Sequence, residues 1–134
     1  MRFFLLAAAL MGFTYAADKP TIFQALDDGK LSLVLEGIDN GAHMRLNMTN
    51  TGKERFSVVL RAGQTRVDVR QNTSILLNSP EEKVAILDPG KATTLTADQA
   101  GRLRMISGRI TITRTPAGAT YSYEHALIGV PEAK

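Results

Sequence analysis

Arginine is the residue type with most to offer chemically in this chain. Arg45, Arg55, Arg61, Arg66 and Arg70 fall along three successive expected strands and their turns, and Arg102, Arg104, Arg109 and Arg114 form a second group. A guanidinium holds carboxylates and phosphates through planar, two-pronged hydrogen bonding. Arg66 with Arg70, and Arg102 with Arg104, have the even spacing that keeps side chains on one face of a strand. If neighbouring strands align them, Arg45, Arg66, Arg70, Arg102 and Arg104 make an anion-receptive surface for a carboxylate-bearing peptide, a polysaccharide or lipid phosphates. The competing expectation is a solvated sheet face whose charges deter edge-to-edge aggregation, partly neutralised by Glu54 and Asp68. Tyr121 and Tyr123 are a second candidate surface, because they share one face of the last expected strand. Each joins an apolar body to a hydrogen-bonding tip, which suits a partner interface as well as a core with a wet edge.

Catalytic groups are sparse. His43 and His125 are the two histidines, and Asp39 or Glu124 could join them around a metal ion. Glu124 and His125 are adjacent, however, and face opposite sides of a regular strand, so ordinary surface histidines are the simpler expectation. No glycine-flanked serine of the nucleophile-elbow type occurs, and Ser107-Gly108 reads as a turn. Asp27-Asp28 and Glu81-Glu82 read as helix-end and loop charges. Cysteine is absent, which excludes disulfides, thiol catalysis, thiolate metal sites and acylation on a cysteine. The expectation is a chain with no catalytic residues, no cofactor and no metal.

Positioning falls to one small domain. Arg2, the apolar run from Phe3 to Met11, and Thr14-Tyr15-Ala16 together read as a secretory signal cut after Ala16. The run is shorter than the roughly 20 residues that span a bilayer as a helix. Residues 1–16 are therefore expected to be a signal peptide and residues 17–134 a single domain, soluble after cleavage. The formal charge of +3, which includes Arg2, shows no basic stripe of the kind that nucleic-acid binders carry. Export to a bacterial periplasm or beyond is expected, and oligomeric state is not legible.

Asp18 is a candidate helix cap, with Pro20 in the first turn, an apolar face of Ile22, Phe23 and Leu26, and Gly29 as the stop. A helix over 19–28 should cover an open end or edge of the sheet that follows. From Lys30 the hydrophobic period becomes two. Leu31, Leu33 and Leu35 point one way; Met44, Leu46 and Met48 alternate with polar residues; Phe56–Leu60, Val67 and Val69 continue the pattern. Asn50-Thr51-Gly52-Lys53 reads as a tight hairpin turn with glycine at positive φ. Short strands are expected at 74–77, 84–87, 92–96, 109–115 and 120–126, with a turn and then a strand across 97–106. An all-β fold follows, an antiparallel Ig-like β-sandwich with a short N-terminal helix. A sandwich is preferred to a barrel because the repeated glycine kinks and bulges of barrel closure are not evident.

The stretch Met44–Gly52, followed by Phe56–Leu60 and Ala62-Gly63-Gln64, resembles the strand, Thr-Asn-Thr-Gly turn, strand and Ala-Gly-Gln stretch of bacterial exported Ig-like domains. A relative with this style is the intracellular proteinase inhibitor family. Leu87-Asp88-Pro89-Gly90-Lys91 resembles the Pro-Gly turn before a late strand in such domains. The resemblance implies an Ig-like fold. With the lack of catalytic groups, it leads to the expectation of a binding or structural interaction module whose partner is a protein or cell-envelope component. Inhibition of a hydrolase through an exposed loop, 37–42 or 78–83, is the alternative, and a metal-binding domain or enzyme is the third reading.

Overall fold

The computed structural model describes residues 19–70 and 72–131. The expected signal peptide and the Asp18 cap lie outside the described residues. One short helix, α1 (Ile22–Asp27), precedes nine strands: β1 (Leu31–Ile38), β2 (His43–Asn50), β3 (Phe56–Leu60), β4 (Gly63–Arg70), β5 (Thr73–Ser79), β6 (Lys83–Leu87), β7 (Ala92–Gln99), β8 (Arg104–Thr115) and β9 (Gly118–Gly129). Seven of them form one antiparallel sheet in the order β4-β5-β7-β2-β1-β8-β9, and β3 and β6 form a separate ribbon. The all-β, antiparallel class with a short N-terminal helix is as expected. The strand order replaces an Ig-like pair of facing sheets by a single sheet that curls toward closure.

The alternation read from sequence holds in the central strands. Leu31, Leu33 and Leu35 on β1, Met44, Leu46 and Met48 on β2, and Ile110 and Ile112 on β8 are all buried in one core. The ribbon adds Val58, Leu60, Ala85 and Leu87 to that core. It lies near the weakest joint of the sheet, where β5 and β7 pair only through Leu77 with Gln99 and Asn78 with Asp98. Lys83 Nζ donates to the Thr96 carbonyl at 2.6 Å and ties ribbon to sheet. Helix α1 contributes Ile22, Ala25 and Leu26 to the core, as a cover over one end.

Three local expectations are corrected. The helix cap is Thr21: its hydroxyl accepts from the Gln24 amide at 3.1 Å, while the Thr21 amide donates to Gln24 Oε1 at 2.9 Å. Such a reciprocal capping box satisfies two amides that the first helical turn leaves open. The turn at 50–53 does not make a hairpin, since β2 pairs with β1 and β7, and β3 with β6. Asn50 is the reason. It is buried, and its amide donates to the carbonyls of Glu54 at 2.8 Å and Leu87 at 2.9 Å, which directs the chain off the sheet and onto the ribbon.

Curling is the third correction. Register shifts flank Ser107 in the β8–β9 pairing, and another lies between Asp68 and Arg70 on β4. Bulges of this kind bend a strand and increase its twist. Gly108 has φ +86°, and a Cβ there would overlap the His125 carbonyl; one at Gly37 would overlap that of Met105. These are the glycine and bulge devices of closure, and only the pairing partners reveal them.

Candidate functional site

Among the described residues, the sheet does not close by backbone pairing. Strands β4 and β9 are its two edges, and they come together at a seam. Val69 is the extra residue of the β4 bulge, passed over in the ladder between Asp68 paired with Ser74 and Arg70 paired with Thr73. A bulge leaves such a residue out of the ladder. The Val69 carbonyl instead accepts a hydrogen bond from Tyr123 Oη at 2.8 Å. The ring of Tyr121 stacks beside that of Tyr123, with centroids 6.5 Å apart and planes 15° apart.

Next to this bridge the seam opens into a cleft of about 190 Å³, whose apolar lining includes Phe23, Val67, Ile112 and Tyr121. Helix α1 forms part of its wall because Leu26 is buried and turns Phe23 and Asp27 toward β4 and β8. Four charged side chains, Asp27, Arg66, Asp68 and Arg114, complete the rim. Asp27 and Arg114 also line a second hollow of about 310 Å³ toward Pro116, so they sit between the two. Among the described residues, no ion pair joins any of the four to an opposite charge within 4.0 Å. Asp68 accepts a hydrogen bond from Ser74 Oγ at 2.6 Å. The Tyr121 phenol is pushed above its ordinary value, first by burial, then by the negative charge of Asp68 and by Tyr123 and Asp27, with Arg114 opposing.

The five arginines singled out in the sequence do not share a strand neighbourhood. Arg66 and Arg70 stand on edge strand β4, and two strands, β5 and β7, separate them from Arg45 on β2. Arg45 belongs to a charge ladder across four adjacent strands, in which Arg45 lies 3.4 Å from Glu36, Glu36 3.9 Å from Arg109, and Arg109 3.5 Å from Glu124. Arg104 is structural, with Nε donating to the Gly101 carbonyl at 2.8 Å. Arg102 is exposed next to Gly101, which packs on Leu76, the cross-strand partner of Arg66. Of the expected site residues, the cleft gathers Arg66 and Tyr121, and Tyr123 bridges its margin.

His43 Nδ1 lies 2.7 Å from Asp39 Oδ2, and its Nε2 lies 3.5 Å from Asp98 Oδ1. His125 is on β9, with β1 and β8 between it and β2, so the two histidines do not converge. No group of three or more potential ligands fits a metal ion among the described residues. The loops considered for inhibition are tight turns: Asp39 and Asn40 turn the chain at positive φ (55° and 53°), with the Ala42 amide donating to the Asp39 carbonyl at 3.1 Å, and Ser79 Oγ donates to the Glu81 carbonyl at 2.6 Å. The segment 126–129 is docked, with Leu127 opposite Ser107, Ile128 opposite Met105 and Gly129 opposite Arg104.

Phe23, Asp27, Asp68 and Arg114 are cleft residues that spacing did not single out together. They come from a helix and two strands far apart in the chain, and only the curl of the sheet assembles them. The available signal was Ser107-Gly108, a bulge rather than the expected turn. No protein-family model, curated protein or solved structure matches this chain.

Proposed function

We propose that this chain is an exported, non-catalytic interaction module of the cell envelope or periplasm, and that it meets a protein or envelope component at the seam between β4 and β9. One observation carries the reading: the two edge strands meet through the Tyr123–Val69 bond, and among the described residues no backbone ladder joins them. An unpaired edge is a template for another chain, and monomeric proteins cover or charge such edges. Here Arg66, Asp68 and Arg70 charge the edge without covering it.

The test is site-specific photocrosslinking in the organism of origin, with benzoylphenylalanine at position 70 on the exposed β4 edge beside the cleft, 84 on the outer face of the ribbon, or 40 in the first turn. One partner, identified by mass spectrometry and captured from position 70 alone, is the expected result. Capture only from 84 or 40, or from none of the three, overturns the seam as the contact surface. A hydrolase captured from position 40 and inhibited stoichiometrically would move the function to the loop.

A further inference from the structure

We infer that the seam takes an extended peptide segment of a partner protein as an added strand, with one large apolar side chain of that segment seated in the cleft beside Tyr121. The inference rests on the seam being the binding surface and adds the chemistry of what binds. Strand β4 pairs only with β5, and β9 only with β8, among the described residues. An antiparallel strand aims half of its amide and carbonyl groups to each side. Each edge therefore presents a row of such groups to the seam. Main-chain bonding to a row of this kind supplies affinity, while a pocket for an alternate side chain supplies specificity.

Size and charge narrow the occupant. The cleft of about 190 Å³ is comparable to the ~150 Å³ cavity that accepts a benzene ring. It suits one leucine- or phenylalanine-sized side chain. Val67 and Ile112 are each only 3% exposed at its floor. Its rim carries two cations, Arg66 and Arg114, and two anions, Asp27 and Asp68, with no internal ion pair. A segment with charges of both signs around its apolar anchor complements that rim. A phosphate-rich surface would meet as many carboxylates as guanidinium groups, and a rim with no net charge gives it no net attraction. Tyr123 acts as a latch, since an added strand takes the Val69 carbonyl that its hydroxyl now occupies.

The test is selection of a phage-displayed library of random heptapeptides against the full-length folded domain, followed by calorimetry with the enriched peptide. The expected peptides carry one large apolar residue with charges of both signs nearby. Ala119→Trp fills the cleft from an exposed position and should weaken binding at least tenfold. Tyr123→Phe removes the competing hydroxyl and should strengthen it about fivefold, the worth of one net hydrogen bond. N-methylation of alternate peptide amides should abolish binding to the wild-type protein, a measurement that depends on no variant folding. Failure to enrich any peptide overturns strand addition, as does an enriched peptide indifferent to both Ala119→Trp and N-methylation. If position 70 still crosslinks one partner in cells, the seam stands as the surface and only the strand mode fails. Loss of both removes the functional reading itself.

Discussion

Replacing Gln99 by leucine should unfasten one end of the sheet. Gln99 is only 3% exposed at the end of β7. Its Nε2 donates to the carbonyls of His43 at 3.0 Å and Met105 at 2.8 Å, and its Oε1 accepts from the Met105 amide at 2.7 Å. One side chain thus joins the start of β2 and the start of β8 to the end of β7. Leucine fills a similar volume and makes none of these bonds. Each net hydrogen bond is worth about 1 kcal/mol, and a buried group left unpaired costs about 1–3 kcal/mol. The expected loss is about 3–5 kcal/mol, and a fall in Tm of at least about 10 °C for a domain of this size. Urea denaturation reads it as a lower midpoint at unchanged slope. The exposed Gln64→Leu is the control. Gln99→Leu within about 0.5 kcal/mol of wild type would refute the assignment of these bonds as the fastening. Gln99→Glu adds a check of sign. A buried carboxylate facing two carbonyl oxygens has its pKa raised on folding, so the folded state retains the proton longer. That variant should therefore gain stability on acidification and lose it as pH rises from about 4.3, the ordinary glutamate value.

Gly108→Ala should cost at least about 3 kcal/mol, or prevent folding, because its Cβ would overlap the His125 carbonyl and φ is +86°; thermal melting measures it. Thr21→Ala, which removes the hydroxyl half of the capping box, should cost about 1 kcal/mol by chemical denaturation. Tyr121 should ionise above pH 10.0, seen as the difference between the ultraviolet titrations of wild type and Tyr121→Phe. Asp68→Asn should bring it down without restoring it fully, since burial is the larger cause. Because the folded phenol holds its proton longer, Tyr121 should subtract stability as pH rises above 10.0, the value from which the unfolded chain ionises. Glu36→Gln, which interrupts the exposed charge ladder through Arg45 and Arg109, should change stability by less than about 1 kcal/mol.

Local pattern carried the fold class. Leu31, Leu33 and Leu35, then Met44, Leu46 and Met48, alternate in the chain and are buried in the structure, because a strand sends successive side chains to opposite faces whatever its neighbours. The turn at 116–117 and the helix stop at Gly29 were legible for the same reason, being matters of φ and capping within a few residues. Pairing was not legible. Asn50 looked like a hairpin residue, yet its side chain bonds to Leu87, 37 positions away. Periodicity names the face a residue occupies and says nothing about which strand lies beside it. The bulges at Val69 and around Ser107 were hidden likewise, since a bulge exists only relative to a partner strand. From them come the curl, the meeting of β4 with β9, and the cleft joining α1 to Arg66, Asp68, Arg114 and Tyr121. Residue types and their alternation settle burial, which is a local contest between side chain and water. The seam depends on summed twist across seven strands, which tertiary structure alone decides.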